Sequence, residues 1–158
     1  GACHHSLDTT SSYYLGADTT AFTQLMFSDV FTDFPDLKII IPHGGGAVPY
    51  HWGRFRGIAQ DKGLGDLNER MLNNIYFDTC VYHQKGIDLL LQVIPLKNIL
   101  FASEMIGAVR GIDPLSGHYY DDTKRYIDGA TSLTDANRKM IFEDNARRVF
   151  SRLATNIK

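Results

Sequence analysis

Two hydrophobic periods alternate along the chain. Residues 19–34, TTAFTQLMFSDVFTDF, place Phe22, Leu25, Met26, Val30 and Phe31 at helical spacing, with Asp18 or Thr19 as N-cap and Pro35 as stop. LKIIIP (37–42) follows, a short apolar run that leads into glycines and reads as a buried strand. Helical patterns at 46–60 and 66–72 precede a second strand, NIYFDT (74–79). GIDLLLQVI (86–94) is helical, and KNILFAS (97–103) is a third strand. Two further helices are predicted at 119–129 and 133–153, the second capped by Thr134. Strands that alternate with helices, each strand apolar on both faces, predict an α/β fold with a parallel sheet. The stretches 1–17 and 104–118 are too long for simple connections, and such loops in α/β folds carry function.

Three strands are too few for a complete (β/α)8 barrel, which takes eight strands and about 250 residues. The order fits either a small doubly wound domain or the C-terminal part of a TIM barrel. The opening, GACHHS, reads as the loop after a strand that these residues do not contain. That favours the second architecture: residues 1–158 as a single partial domain, about three parallel strands with their helices.

Composition narrows the functional classes. Sixteen Lys and Arg against 18 Asp and Glu give a net charge of −2, so no global basic field is present to hold nucleic acid or an anionic membrane. No apolar run approaches the roughly 20 residues of a membrane span. Cys3 and Cys80 make no disulfide framework and no CxxC pair, so a reduced, cytoplasmic setting is expected.

Candidate chemistry gathers at strand ends, where parallel α/β folds place their active sites. Pro42-His43-Gly44-Gly45-Gly46 follows the first strand. A histidine there can carry a proton near neutral pH, and the glycines let backbone approach a ligand. The plainer reading is a tight turn with a core histidine; the position at the strand's end favours chemistry. Phe101-Ala102-Ser103-Glu104-Met105 repeats the arrangement with a carboxylate, able to ligate a metal or act as a base. Its plainer reading is a solvated acid or a partner of Arg110. Asp78, late in the second strand, reads as a cap or as a group that orients a neighbour. His4 and His5 are adjacent and point apart in extended chain, so they do not read as ligands of one ion. His51, His83 and His118 have no evident partner. Arg54, Arg56 and Arg110 lie near the proposed site and suggest a small acidic substrate.

Longer stretches resemble a known family. IPHGGGAVPYHWGRFRG (41–57), FASEMIGAVRGIDPLSGHYYDDTKRYID (101–128) and EDNARRVFSRL (143–153) are similar to the amidohydrolase superfamily, in its decarboxylase and hydratase branch. The second stretch points to the hydratases. The resemblance implies a zinc-dependent (β/α)8 barrel in which 37–42, 74–79 and 97–102 are the last three strands. It implies a catalytic role for His43, and for Glu104 a double role as metal ligand and proton carrier. The decarboxylases usually have Asp at that place, which favours hydration of a C=C bond in an oxo-tricarboxylate during bacterial breakdown of aromatic compounds. Tyr14 and Arg54 match positions near the substrate in related enzymes, and in the decarboxylases the arginine matching Arg54 reaches a substrate carboxylate across a subunit interface. The family's other three metal ligands match no residue here, so this chain alone is expected to hold zinc weakly or not at all. A homo-oligomer is expected, because the edges of an open sheet invite pairing. A sister decarboxylase or hydrolase, and an inactive α/β piece acting only by association, are the alternatives.

Overall fold

A computed structural model describes residues 9–105 and 109–152. A π-type turn over Thr9–Tyr13 leads into helix α1 (Tyr14–Phe27). Ser28 ends it with a hydroxyl that donates to the Leu25 carbonyl at 2.9 Å, and a single turn, α2 (Val30–Asp33), follows. The one helix expected at 19–34 is therefore two, and the first begins before Asp18. Neither Asp18 nor Thr19 is an N-cap; both lie inside α1. The early turns were hidden because Tyr13, Tyr14 and Leu15 are exposed and supply no apolar stripe.

Strand β1 (Ile39–Ile41) comes next, then α3 (Trp52–Asp61) and α4 (Leu67–Met71). The helix expected from residue 46 starts six residues later, because Gly46 takes a φ of 59° and residues 46–51 run as tight turns. Asp66 caps α4 by accepting the Asn68 and Glu69 N–H groups. β2 (Ile75–Asp78), α5 (Gln84–Val93) and β3 (Ile99–Leu100) complete the sheet. β3 is shorter than the apolar run 97–103. Beyond Leu100 the Phe101 N–H turns to the Ile141 carbonyl at 3.1 Å, and the Ala102 N–H meets the Thr79 hydroxyl rather than backbone. The expected helix at 119–129 shrinks to α6 (Lys124–Asp128), because Tyr119 bridges back to Ile112. The last helical stretch comprises α7 (Asp135–Lys139), a π-type turn over Met140–Asp144 and α8 (Asn145–Val149). Thr134 caps it, as expected, in a reciprocal capping box with Asn137.

The strands pair in the order β1-β2-β3, all parallel, with Ile39 opposite Ile75 and Phe77 opposite Ile99. Every residue of the central strand is buried, as its apolar run predicted. Phe22 of α1 joins the layers. Its ring lies 5.8 Å from Trp52, 5.2 Å from Phe55 and 6.3 Å from Phe77, which ties α1 and α3 to β2.

The N-terminal ends of the strands are bracketed by three buried asparagines. Asn74 Nδ2 donates to the Pro35 and Leu37 carbonyls, each at 2.7 Å, just before β1. Asn98 Nδ2 donates to Leu72 and Ile75, at 2.7 and 2.8 Å, at the start of β2. Asn145 Nδ2 donates to Leu96 and Ile99, both at 2.7 Å, at the start of β3. Each amide satisfies carbonyls that the ladder leaves open. Asn98→Ala is expected to destabilise the fold by about 1–3 kcal/mol for each carbonyl left buried and unpaired. Urea denaturation reads the loss as a lower midpoint, and an unchanged midpoint would show that water replaces the amide.

Candidate active site

Among the described residues, the non-glycine residues with positive φ are His43 (53°) and Glu104 (52°). This left-handed conformation costs roughly 1–3 kcal/mol and persists only where the surroundings impose it. Both residues stand just past strand ends. At His43 the turn is closed by the Gly46 N–H bonding the His43 carbonyl at 3.1 Å and the Gly45 N–H bonding Pro42 at 2.9 Å. The buried carboxylate of Asp78 accepts the Gly44 N–H at 2.9 Å and the Cys80 N–H at 3.0 Å. Asp78 thus orients the His43 turn, the role preferred for it from sequence. Gly45 lies on the sheet so closely that a Cβ there would stand 2.5 Å from the Phe77 ring. Glu104 is placed by Ala102, whose carbonyl accepts from the Thr79 hydroxyl at 3.0 Å and the Thr123 hydroxyl at 2.7 Å.

These supports bring the two residues together. His43 Nε2 lies 3.2 Å from Glu104 Oε1, and His43 Nδ1 lies 2.7 Å from Asp18 Oδ2. The Tyr82 hydroxyl donates to Glu104 Oε2 at 2.8 Å. The Tyr14 ring stands parallel to the imidazole within 7°, with centroids 6.3 Å apart. His43, Cys80, Tyr82 and Glu104 face a cavity of about 490 Å³, with Leu15 and Val81 in its apolar wall.

Charge follows from this arrangement. Burial pushes the His43 imidazole down, but the hydrogen bonds and charges of Asp18 and Glu104 outweigh it and leave the group above its ordinary value. Burial, with Glu104 beside it, pushes the Tyr82 phenol well up, so it stays a hydrogen-bond donor. Burial and the Asp78 charge push the Cys80 thiol up, which keeps it protonated where it lines the cavity. Burial raises Asp78 itself against the two N–H bonds that lower it.

No group of three or more His, Cys, Asp or Glu side chains placed to hold a metal occurs among the described residues. Both oxygens of Glu104 are engaged, one with His43 and one with Tyr82. A zinc site takes three or four protein ligands, so the described residues do not by themselves fit one; Glu104 is the donor they offer.

Of the residues singled out from sequence, His43, Glu104 and Tyr14 meet at one place. Arg54 is exposed on α3 and Arg110 is exposed beyond Glu104; neither lines the cavity. His83 caps α5 by accepting the Gly86 N–H at 3.3 Å. Cys3, His4 and His5 lie outside the described residues. Sequence reasoning missed Asp18 and Tyr82. Asp18 sits four residues after Tyr14 on one helical face, a signal open only once the helix is known to start at Tyr14.

Residues 4–152 match the family model for amidohydrolases. The chain is 60% identical, over all its 158 residues, to a 2-keto-4-carboxy-3-hexenedioate hydratase of Sphingobium sp. strain SYK-6, and covers 46% of that protein. It is similar to the crystal structure of a 4-oxalomesaconate hydratase from Rhodopseudomonas palustris, with 65% identity and a TM-score of 0.89 over 92% of this chain and 44% of that one. A dihydroxybenzoic acid decarboxylase from Polaromonas sp. JS666, solved with bound manganese, shares the fold at 20% identity, with a TM-score of 0.62 over 84% of this chain and 39% of that one. The chain thus spans less than half the length of each of these relatives. The parallel α/β layout, the strand-end site and the match over residues 4–152 agree: the chain belongs to the amidohydrolase family.

Proposed function

We propose that this chain forms part of a hydratase that adds water to the C=C bond of an oxo-tricarboxylate in the breakdown of aromatic compounds. The observation that carries the reading is the His43–Glu104 pair on the cavity, in a chain 60% and 65% identical to two proteins that bear hydratase names. Hydration breaks one O–H bond of water and the π bond of the C=C, and forms one C–O and one C–H bond. A base must take the water proton and an acid must supply the carbon. Two proton-carrying groups 3.2 Å apart can do both and pass a proton between them. Tyr82 holds the second oxygen of Glu104, so that Oε1 stays turned to the histidine. A divalent metal, zinc by the family resemblance, would polarise water or the substrate, and Glu104 is the donor this chain offers it.

The substrate class in this reading is a small carboxylate rather than nucleic acid or a membrane surface. Among the described residues no helix is long and apolar enough to cross a membrane. Arg54 supports a homo-oligomer: it projects from α3 without an ion pair among the described residues, suited to a neighbouring copy's substrate carboxylate. Leu115 is 96% exposed and Met105 71% exposed, apolar surface that association would cover. A cytoplasmic setting is part of the same proposal, with Cys80 kept as a thiol.

In the full-length protein, His43→Asn is expected to keep its metal content and lose roughly 10²- to 10⁴-fold in turnover of the oxo-tricarboxylate. Glu104→Gln should lose turnover and loosen the metal as well. A His43→Asn variant with stripped metal and intact turnover in the residual holoenzyme would reverse the two roles.

His43 also predicts a pH dependence of stability. Its folded pKa lies above the unfolded value near 6.5, so its contribution is fully present below that pH and is lost as pH rises through the folded value. Urea unfolding on both sides of neutrality should show this decline, and His43→Asn should flatten it. A decline that survives the substitution would assign it to another group.

Sedimentation equilibrium at low micromolar concentration tests the association. An oligomer is expected, and a cooperative monomer of 17.8 kDa would count against it.

A further inference from the structure

We propose that Asp18 is a positioning residue, whose carboxylate fixes the His43 ring with its proton on Nδ1 and Nε2 turned to Glu104 and the cavity. This rests on the reading of His43 as a proton carrier and extends it to a residue on a different element.

The geometry is specific. The 2.7 Å contact from Nδ1 to Asp18 Oδ2 is the shorter of the two that the ring makes. A carboxylate only accepts, so the charged ring donates to both Asp18 and Glu104, and on losing one proton it keeps the hydrogen on Nδ1, at the shorter contact. In the neutral ring Nε2 is then the acceptor, able to take a proton from protonated Glu104 or from a group in the cavity. Asp18 and His43 side chains are only 13% and 19% exposed, so water competes little for the bond.

Three features set this contact apart from an accidental surface pair. Asp18 lies inside α1, where aspartate is a poor helix former and has no capping role, because the N-cap is Tyr13. Tyr14 and Asp18, one helical turn apart, both face the same imidazole, one with its ring and one with its carboxylate. The helix is also locked to the histidine turn by the residues that flank Asp18. A Cβ at Gly46 would stand 2.5 Å from the Leu15 carbonyl and 2.8 Å from the Thr19 hydroxyl, while the Ala47 N–H donates to that hydroxyl at 3.0 Å. Close packing at Gly46 therefore fixes the distance over which Asp18 reaches the ring.

The test uses the full-length protein and two readouts. Side-chain ¹⁵N NMR of unmutated protein, at a pH where the ring is neutral, should show the His43 proton on Nδ1. An Nε2–H tautomer with bare Nδ1 overturns the proposal without any variant. Asp18→Asn should lower kcat by about 10²-fold or more while KM stays within about twofold, and move the proton to Nε2, because an amide can donate to Nδ1. Asp18→Glu, which keeps the acceptor, should recover part of kcat and the Nδ1–H tautomer. Wild-type kcat in Asp18→Asn beside an inactive His43→Asn overturns the positioning role alone. Wild-type turnover in His43→Asn overturns the role of His43 and the positioning role with it.

Discussion

The carboxylate of Asp78 sits at the C-terminal end of the central strand, and its Oδ1 accepts N–H groups from Gly44, after β1, and from Cys80, after β2. It is buried, so desolvation works against its charge. Two backbone donors offset that cost, and hydrogen bonds to a charged acceptor contribute about 1.5–3 kcal/mol each. With the turn held from below, His43 can remain at a φ of 53°. Without it the Gly44 N–H would lose its acceptor, and the turn would rest on its own backbone bonds and on the packing of Gly45 and Gly46. The site is therefore supported by a residue that does not itself line the cavity.

How much of this was legible in the sequence follows from how local each feature is. The strands were visible because a buried parallel strand is a short apolar run, and the residue after such a run is at the active end by construction of the fold. His43 and Glu104 stood out for that reason, and the family resemblance pointed to the same two residues. Asp18 did not, because its partner is 25 residues away and the exposed first turns of its helix carry no apolar stripe. Tyr82 likewise meets Glu104 across 22 residues, through a loop whose path only the packing of β2 against β3 decides. Arg54 and Arg110 are close to the site along the chain but do not line the cavity, although Val109 beside Arg110 does.

The two ends of the sheet use different chemistry. At the C-terminal end, strained backbone, carboxylates and a histidine stand around open space. At the N-terminal end, neutral asparagine amides close carbonyls, and Asn74, Asn98 and Asn145 are all buried. The first arrangement costs stability and the second returns it, which is how a three-stranded sheet carries two left-handed residues at its working end.

The brackets also impose an order in time. Each asparagine closes the strand that precedes it: residue 74 fastens the start of β1, residue 98 that of β2, and residue 145 that of β3. A ribosome releases the chain from its N-terminus, so the fasteners arrive in the same sequence as the strands they fasten. Each βα unit must wait, unlatched, until the next has been synthesised. The last latch lies in α8, so the third strand becomes secure only when nearly the whole of this sequence has left the exit tunnel.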